Sequence, residues 1–236
     1  MTLPPGQRAI DGFPRFGTHL HLPPPPVPDD PAIEVTGAPL AEPVRVPVAD
    51  LGDLPRREQS SDFHCVAGWS ATGLRWEGVA FETFYRTVVE PALASDARVT
   101  HLVFGGLDGY RSVVALEDAL EADALIADRL DGRPLDSDHG APVRFVSPGQ
   151  YGYMNTKHLC LIEVHTSEPR EDYRRLARLV QAFLRGPGAP HPRARVWKEE
   201  RHRLVPGRIV RPVYRQFIPA IRALSERGSR PPRRPE

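Results

Sequence analysis

DFHCVAGWS, residues 62–70, sets one of the chain's two cysteines, Cys65, directly after His64 and four residues ahead of Trp69. Neighbouring side chains on a strand point to opposite faces, so His64 is not placed to serve as a base for the Cys65 thiol. A papain-like arrangement also needs a distant histidine and an orienting group, and the sequence singles out neither. A structural zinc site needs several thiolates or imidazoles at short spacing, which Cys160 and the scattered histidines do not supply. Two readings of Cys65 remain. It is an inert buried thiol, or it is a lone soft ligand for a metal whose other ligands arrive with a cofactor.

The second reading requires anion-holding residues elsewhere in the chain. HGAPVR, residues 139–144, brackets a Gly-Ala-Pro turn with His139 and Arg144. YGYMNTK, residues 151–157, offers backbone amides together with Asn155, Thr156 and Lys157. Together they have the chemistry to hold a phosphate. Taken singly, the first is also what a turn before a strand looks like, and the second what a solvated surface lysine looks like.

A chain of 236 residues is long enough to bury a core without disulfides. Its two cysteines lie far apart, Cys160 within the strand-like run HLCLIEV, and this usage fits a reducing compartment. The N-terminal stretch has neither an apolar signal core nor a twin arginine, and no run of about eighteen apolar residues follows. These features predict a cytoplasmic protein with no membrane span. The net charge of +1 hides an asymmetry, because residues 1–164 carry −10 and residues 165–236 carry +11.

Four segments follow from composition and periodicity. Residues 1–30 form a proline-rich arm, extended and able to drape over a domain. Residues 31–166 hold the main α+β domain. Within it IEVTGAPLAEPVRVPVADL, HLVFGGLDGYRSVVAL, APVRFVSP and HLCLIEVHT read as strands and turns, and FETFYRTVVEPAL and LEDALEADALIADRL as helices. Residues 167–186 form an amphipathic helix with Tyr173, Leu176, Leu179, Val180 and Phe183 on one stripe. Residues 187–236 are a basic extension whose prolines restrict it to short elements.

In order and spacing, DFHCVAGWS, RWEGV, FGGLDGYRSVVAL, DHGAPVRFVSP and YGYMNTKHL resemble the oxidoreductase molybdopterin-binding domain of the sulfite oxidase family, over about residues 13–166. The resemblance implies a sulfite oxidase-type fold of mixed, mainly β sheets with flanking helices. It implies the cofactor Mo-molybdopterin, with Cys65 as the protein's metal ligand. His139, Arg144, Asn155, Thr156, Lys157 and Asp108 match cofactor-holding positions, and Tyr110 lies beside that turn toward the pocket. PRFGTHLHLPPPP stands where the family places an Arg-Asn-His segment, through Arg15, Phe16, Gly17 or His19.

The implied reaction is two-electron oxygen-atom transfer on a small-molecule substrate, an oxyanion or an S- or N-oxide, with electrons passing to or from a separate partner protein. Animal and plant sulfite oxidases follow the cysteine with Ala-Gly-Asn-Arg-Arg, where this chain has Val-Ala-Gly-Trp-Ser. Loss of those guanidiniums weighs against sulfite unless Arg75 or Arg111 substitutes. Two other classes compete: a carrier that binds the cofactor without turnover, and a nucleic-acid module using RARVWKEERHRLVPGRIVRPVYRQF. The basic extension reads better as a positive segment lying on the acidic domain than as a nucleic-acid surface, so no nucleic-acid partner is expected.

Overall fold

The computed structural model describes residues 2–15, 23–169 and 189–228. A long hairpin dominates it, formed by β4 (Arg56–His64) and β5 (Trp69–Ala80) paired from Arg56↔Val79 to His64↔Ser70. The first sheet runs β1 (Arg8–Ile10), β5, β8 (Leu125–Leu130), β10 (Arg144–Val146), with β4 also on β5 and β9 (Arg133–Pro134) on β8. The second runs β3 (Val44–Pro47), β2 (Ala32–Thr36), β11 (Leu159–His165), β6 (His101–Gly106), β7 (Arg111–Ala115). Only β1 on β5 and β11 on β2 are parallel.

The larger core lies where β6 of one sheet meets β10 of the other. Phe104 stacks on Phe145 at 4.1 Å between ring centres, and Phe81 stands edge-on to both at 5.2 and 5.4 Å. Phe81 opens α1 (Phe81–Phe84), which continues as a π turn over Tyr85–Val89 and ends in a 3-10 turn at Glu90–Ala92, where Pro91 denies the helix its next donor. The smaller core contains Cys65, Trp69, Trp76, Leu125 and Val146, with Phe13, Phe63 and Tyr214 packed against it.

Two expectations are corrected. LEDALEADALIADRL is not one helix: α2 covers only Leu116–Ala119, and Leu125–Leu130 is strand β8. Leu125, Ile126 and Ala127 are completely or almost completely buried between β5 and β10, so pairing on both edges overrides the helix preference of Ala and Leu. The basic extension, in turn, is not confined to short elements, because α3 runs over Gly207–Gly228 with Pro212 and Pro219 inside it. The prolines are seven residues apart, two helical turns, and both are exposed, so the carbonyls they leave without donors face water. The amphipathic helix of residues 167–186 falls, from residue 170 on, outside the described residues.

Within the N-terminal arm, β1 pairs in parallel with the start of β5. The extension lies on the acidic domain: the Arg193 guanidinium grips Asp118 and Glu117, Gln150 donates to Arg193 O at 2.7 Å, and Tyr151 N donates to Ala194 O at 2.9 Å.

Gly78 sits at the β5–β8 seam, where a Cβ would come within 2.0 Å of the Ile126 carbonyl oxygen. Backbone cannot move aside as a flexible side chain can. Gly78→Ala is therefore expected to cost about 2 kcal/mol or more in urea unfolding, whereas Gly52→Ala, with open space around it, stays within about 0.5 kcal/mol of the parent.

Candidate functional site

Cys65 occupies the tip of the β4–β5 hairpin. Its N–H donates to Trp69 O and its carbonyl accepts from Gly68 N, both at 2.9 Å, a closure that requires the positive φ of +99° at Gly68. Gln7, carried in beside β1, donates from Nε2 to Cys65 O at 3.1 Å. The amide oxygen of Gln7 accepts from Ser70 Oγ at 3.1 Å, and Ser70 Oγ is 2.8 Å from His64 Nδ1. His64 is thus committed to Ser70 and does not serve the thiol. Burial pushes the Cys65 thiol up to about 11, opposed by an amide bond from Ala67 and by the positive charge of Arg201.

The turn at Asp138–Gly140 gathers cations. Arg144 is 2% exposed; its Nη1 donates to His139 O at 2.9 Å and its Nη2 to Asn155 O at 3.4 Å, while Nε has no acceptor. The rings of Phe13, Phe63 and Trp76 lie 5.7, 5.7 and 5.1 Å from the guanidinium. Burial alone pulls Arg144 down to about 9. Lys157 donates from Nζ to Asp138 O at 3.0 Å. Burial, reinforced by Arg144 and Arg15, pulls it down to about 8 against the opposing pull of Asp108 and Asp138. Arg15 Nε is 3.4 Å from Asp138 Oδ1. Gly140, at φ +110°, lets this turn approach both stems, since a Cβ would lie 3.1 Å from Lys157 and 3.2 Å from Arg144.

The remaining sequence-derived residues divide by what their side chains touch. His139 stacks on Phe13 at 5.0 Å, and its two ring nitrogens meet Asp136 Oδ1 at 2.7 Å and Phe13 O at 2.9 Å, so it braces Arg144 through its carbonyl. Asn155 is tied to Ser147 and Tyr151, and the Thr156 hydroxyl to Ser112 Oγ at 2.7 Å; both side chains serve the scaffold, leaving Lys157 to present charge. Asp108 is exposed and accepts from Tyr110 N at 3.0 Å. Tyr110 donates its hydroxyl to Tyr153 O at 2.6 Å. Phe16, Gly17 and His19 fall outside the described residues.

Arg75 and Arg111 do not supply a cation beside Cys65: Arg75 is exposed and 4.0 Å from Glu58, and Arg111 holds Glu163 with two bonds. The guanidinium that stands there is Arg201, fully buried, with Nη1 donating to Val66 O, the Tyr151 ring 5.0 Å away and Nε lacking an acceptor. It is 3.9 Å from Glu199, a carboxylate already held by Arg211. Nothing local in the sequence marks Arg201 among the arginines of the extension. Phe13, Phe63 and Gln7 were equally unmarked, because Arg144, which the two rings face, and Cys65, to which Gln7 donates, lie more than fifty residues away from them.

A single thiol at a rigid turn with Arg201 beside it, sharing a core with the rings that cage Arg144, where both guanidiniums leave Nε without an acceptor, is suited to a polyanionic, sulfur-ligated metal cofactor. These residues fit that group, and they define the class as proteins that bind a sulfur-ligated metal cofactor. The profile of the oxidoreductase molybdopterin binding domain matches residues 20–173, and the chain belongs to that family, with molybdenum–molybdopterin as its cofactor. Mitochondrial sulfite oxidase of Homo sapiens is 30% identical over 68% of this chain and 33% of its own length. The protein-methionine-sulfoxide reductase catalytic subunit MsrP of Gluconobacter oxydans is 28% identical over 75% of this chain and 60% of its own. The chain thus spans a third of one relative and three fifths of the other. The sulfane dehydrogenase SoxCD of Paracoccus pantotrophus superposes with a TM-score of 0.51 at 17% identity, over 60% of this chain and 39% of that one, which shows the shared sulfite oxidase-type fold.

The depressed Lys157 sets a pH dependence. Between its folded value of about 8 and its ordinary 10.5 the unfolded chain retains a proton that the folded chain has shed, so stability contributed at this position rises with pH across that window. The difference in melting temperature between cofactor-free wild type and Lys157→Met should therefore move in favour of wild type from pH 7.5 to 9.5. Inorganic pyrophosphate should raise the wild-type melting temperature at pH 7.5 and have little effect on the variant.

Proposed function

We propose that the chain is a molybdenum-cofactor-dependent enzyme catalysing two-electron oxygen-atom transfer on a small oxyanion or an S- or N-oxide. The observation that carries this reading is that Cys65 shares its small core with the rings that cage Arg144, a buried guanidinium that no carboxylate among the described residues balances. When bound, the cofactor supplies a metal that exchanges an oxo group while changing oxidation level by two electrons.

The protein's own residues divide the remaining work. Cys65 would ligate the metal through a sulfur held still by Gln7, Gly68 and Trp69. Arg144, Lys157 and Arg15 would hold the cofactor's phosphate, the first two from positions where they lack full compensation. The aromatic side chains of Phe13, Phe63, Trp69 and Trp76 exclude water from this side of the hairpin. Electrons would leave or enter through a separate carrier protein.

The relatives' names point both ways, one to sulfite and one to a sulfoxide. Arg201 favours the anion, since a buried guanidinium beside the hairpin tip, sharing one carboxylate with Arg211, leaves net positive charge where a substrate oxygen would be received.

Protein purified from molybdate-replete cells should carry about one molybdenum per chain with pterin fluorescence, and Cys65→Ser should retain under about a tenth of its turnover. Finding neither metal nor pterin would sink the reading. Arg201→Gln should lower kcat/KM for sulfite about tenfold or more, with dimethyl sulfoxide affected less than about threefold. Equal losses on both substrates, or a collapsed melting temperature, would assign Arg201 to the fold alone.

A further inference from the structure

The extension has two faces. Its inner side is packed: Ala194, Val196 and Arg201 are completely buried, and Tyr214 on α3 lies against the small core that contains Cys65, its hydroxyl 2.5 Å from His202 Nε2. Its outer side is unusually apolar. Among the described residues, four of the six large hydrophobic side chains left exposed fall between residues 197 and 213: Trp197 at 60%, Leu204 at 65%, Ile209 at 60% and Val213 at 54%. Scattered exposed hydrophobics need no explanation, but a cluster on one short segment does.

Cations frame the cluster. Lys198, Arg208 and Arg215 are exposed and form no ion pair among the described residues, whereas Arg203 and Arg211 are committed to Glu168 and Glu199. Leu204, Lys198 and Arg208 line one groove of about 360 Å³. Ile209 and Val213 are one helical turn apart, and Arg208 and Arg215, two turns apart, flank them along α3. Glu199 and Glu200 also line that groove but are held by Arg211 and Arg195, so the exposed charges left without an ion pair among the described residues of the patch are positive, the composition of a surface that selects a partner of opposite charge.

We propose that the outer face of residues 197–215 is the docking surface for an acidic, single-electron carrier protein. This rests on the oxidoreductase reading above, which requires an outlet or inlet for two electrons. Position supports it: the inner side of the same segment touches the Cys65 core, so a docked carrier is separated from the metal ligand by about one helix diameter, roughly 10–12 Å. A lipid surface fits less well. Pro212 and Pro219 lie exposed on α3, and the rest of the patch is a concave groove beside a 3-10 turn rather than one flat helical face.

The test uses the cofactor-loaded protein with reduced flavodoxin as the acidic probe and dithionite as a small reductant, followed by stopped flow. Each flavodoxin hydroquinone gives up one electron and becomes a semiquinone, so two are consumed per two-electron reduction. The flavodoxin rate should fall about tenfold between low and moderate salt, and about tenfold in R208E/R215E and in I209D/V213D, while the dithionite rate stays within about twofold. Calorimetric titration of flavodoxin into the cofactor-free chain should show the same ranking of variants. Unchanged flavodoxin rates and affinities in both double variants would overturn the docking surface, as would cosedimentation with anionic phosphatidylserine vesicles or a dimer that only I209D/V213D dissolves. Failure of dithionite to reduce the protein would instead remove the oxidoreductase reading on which the proposal stands.

Discussion

An unbalanced positive charge in the interior is the constraint around which this molecule is arranged. Bringing a guanidinium out of water without a counter-ion costs several kcal/mol even after relaxation, and among the described residues Arg144 meets that cost with two carbonyl oxygens and three aromatic faces. Cation–π contacts return about 2 kcal/mol each when desolvated, which is enough to keep the group folded in and too little to make it content there. A carboxylate would have cancelled the charge and with it the reason for an anion to bind. The aromatic cage stabilises Arg144 while leaving its field intact, and Phe13, Phe63, Trp76 and His139 take their positions from that requirement.

Much of the fold was legible in sequence wherever a segment's pairing partner was close by. The β2–β3 and β6–β7 hairpins followed from alternation and turn residues, and local motifs were what singled out Cys65, Arg144 and Lys157 as candidates. The failures share a cause. Leu125–Leu130 carries helix-forming residues and becomes a strand because β5 and β10 occupy its two edges. The α3 helix survives its prolines because both lie exposed, which no local pattern announces. Asn155 and Thr156 precede Lys157 in the same motif, yet their side chains turn toward Ser147 and Ser112, a distinction set by three-dimensional packing. Arg201 was the largest omission, and its only sign was that a basic extension accompanies an acidic domain.

The site is consequently built from three parts of the chain with different tasks. The central sheets carry the thiol and the cations toward the cofactor. The N-terminal arm supplies Gln7, Phe13 and Arg15, which tighten the hairpin tip and cover the guanidinium. The extension lies outside the span matched by the family profile and contributes Arg201, whose positive charge acts on the Cys65 thiol. Changes in that extension can retune charge around a constant centre without disturbing the residues that hold the cofactor.

The bond from Arg201 to Val66 spans 135 residues of sequence, and the contact of Arg201 with Gly6 spans 195. Contacts of such long range close after local hairpins have formed, because the chain entropy of the loop must be spent before they return any energy. During synthesis the hairpin tip therefore emerges and folds well before its cap exists. Closure of that tip waits on a residue made 135 positions after Val66, so it is among the last contacts the chain can form.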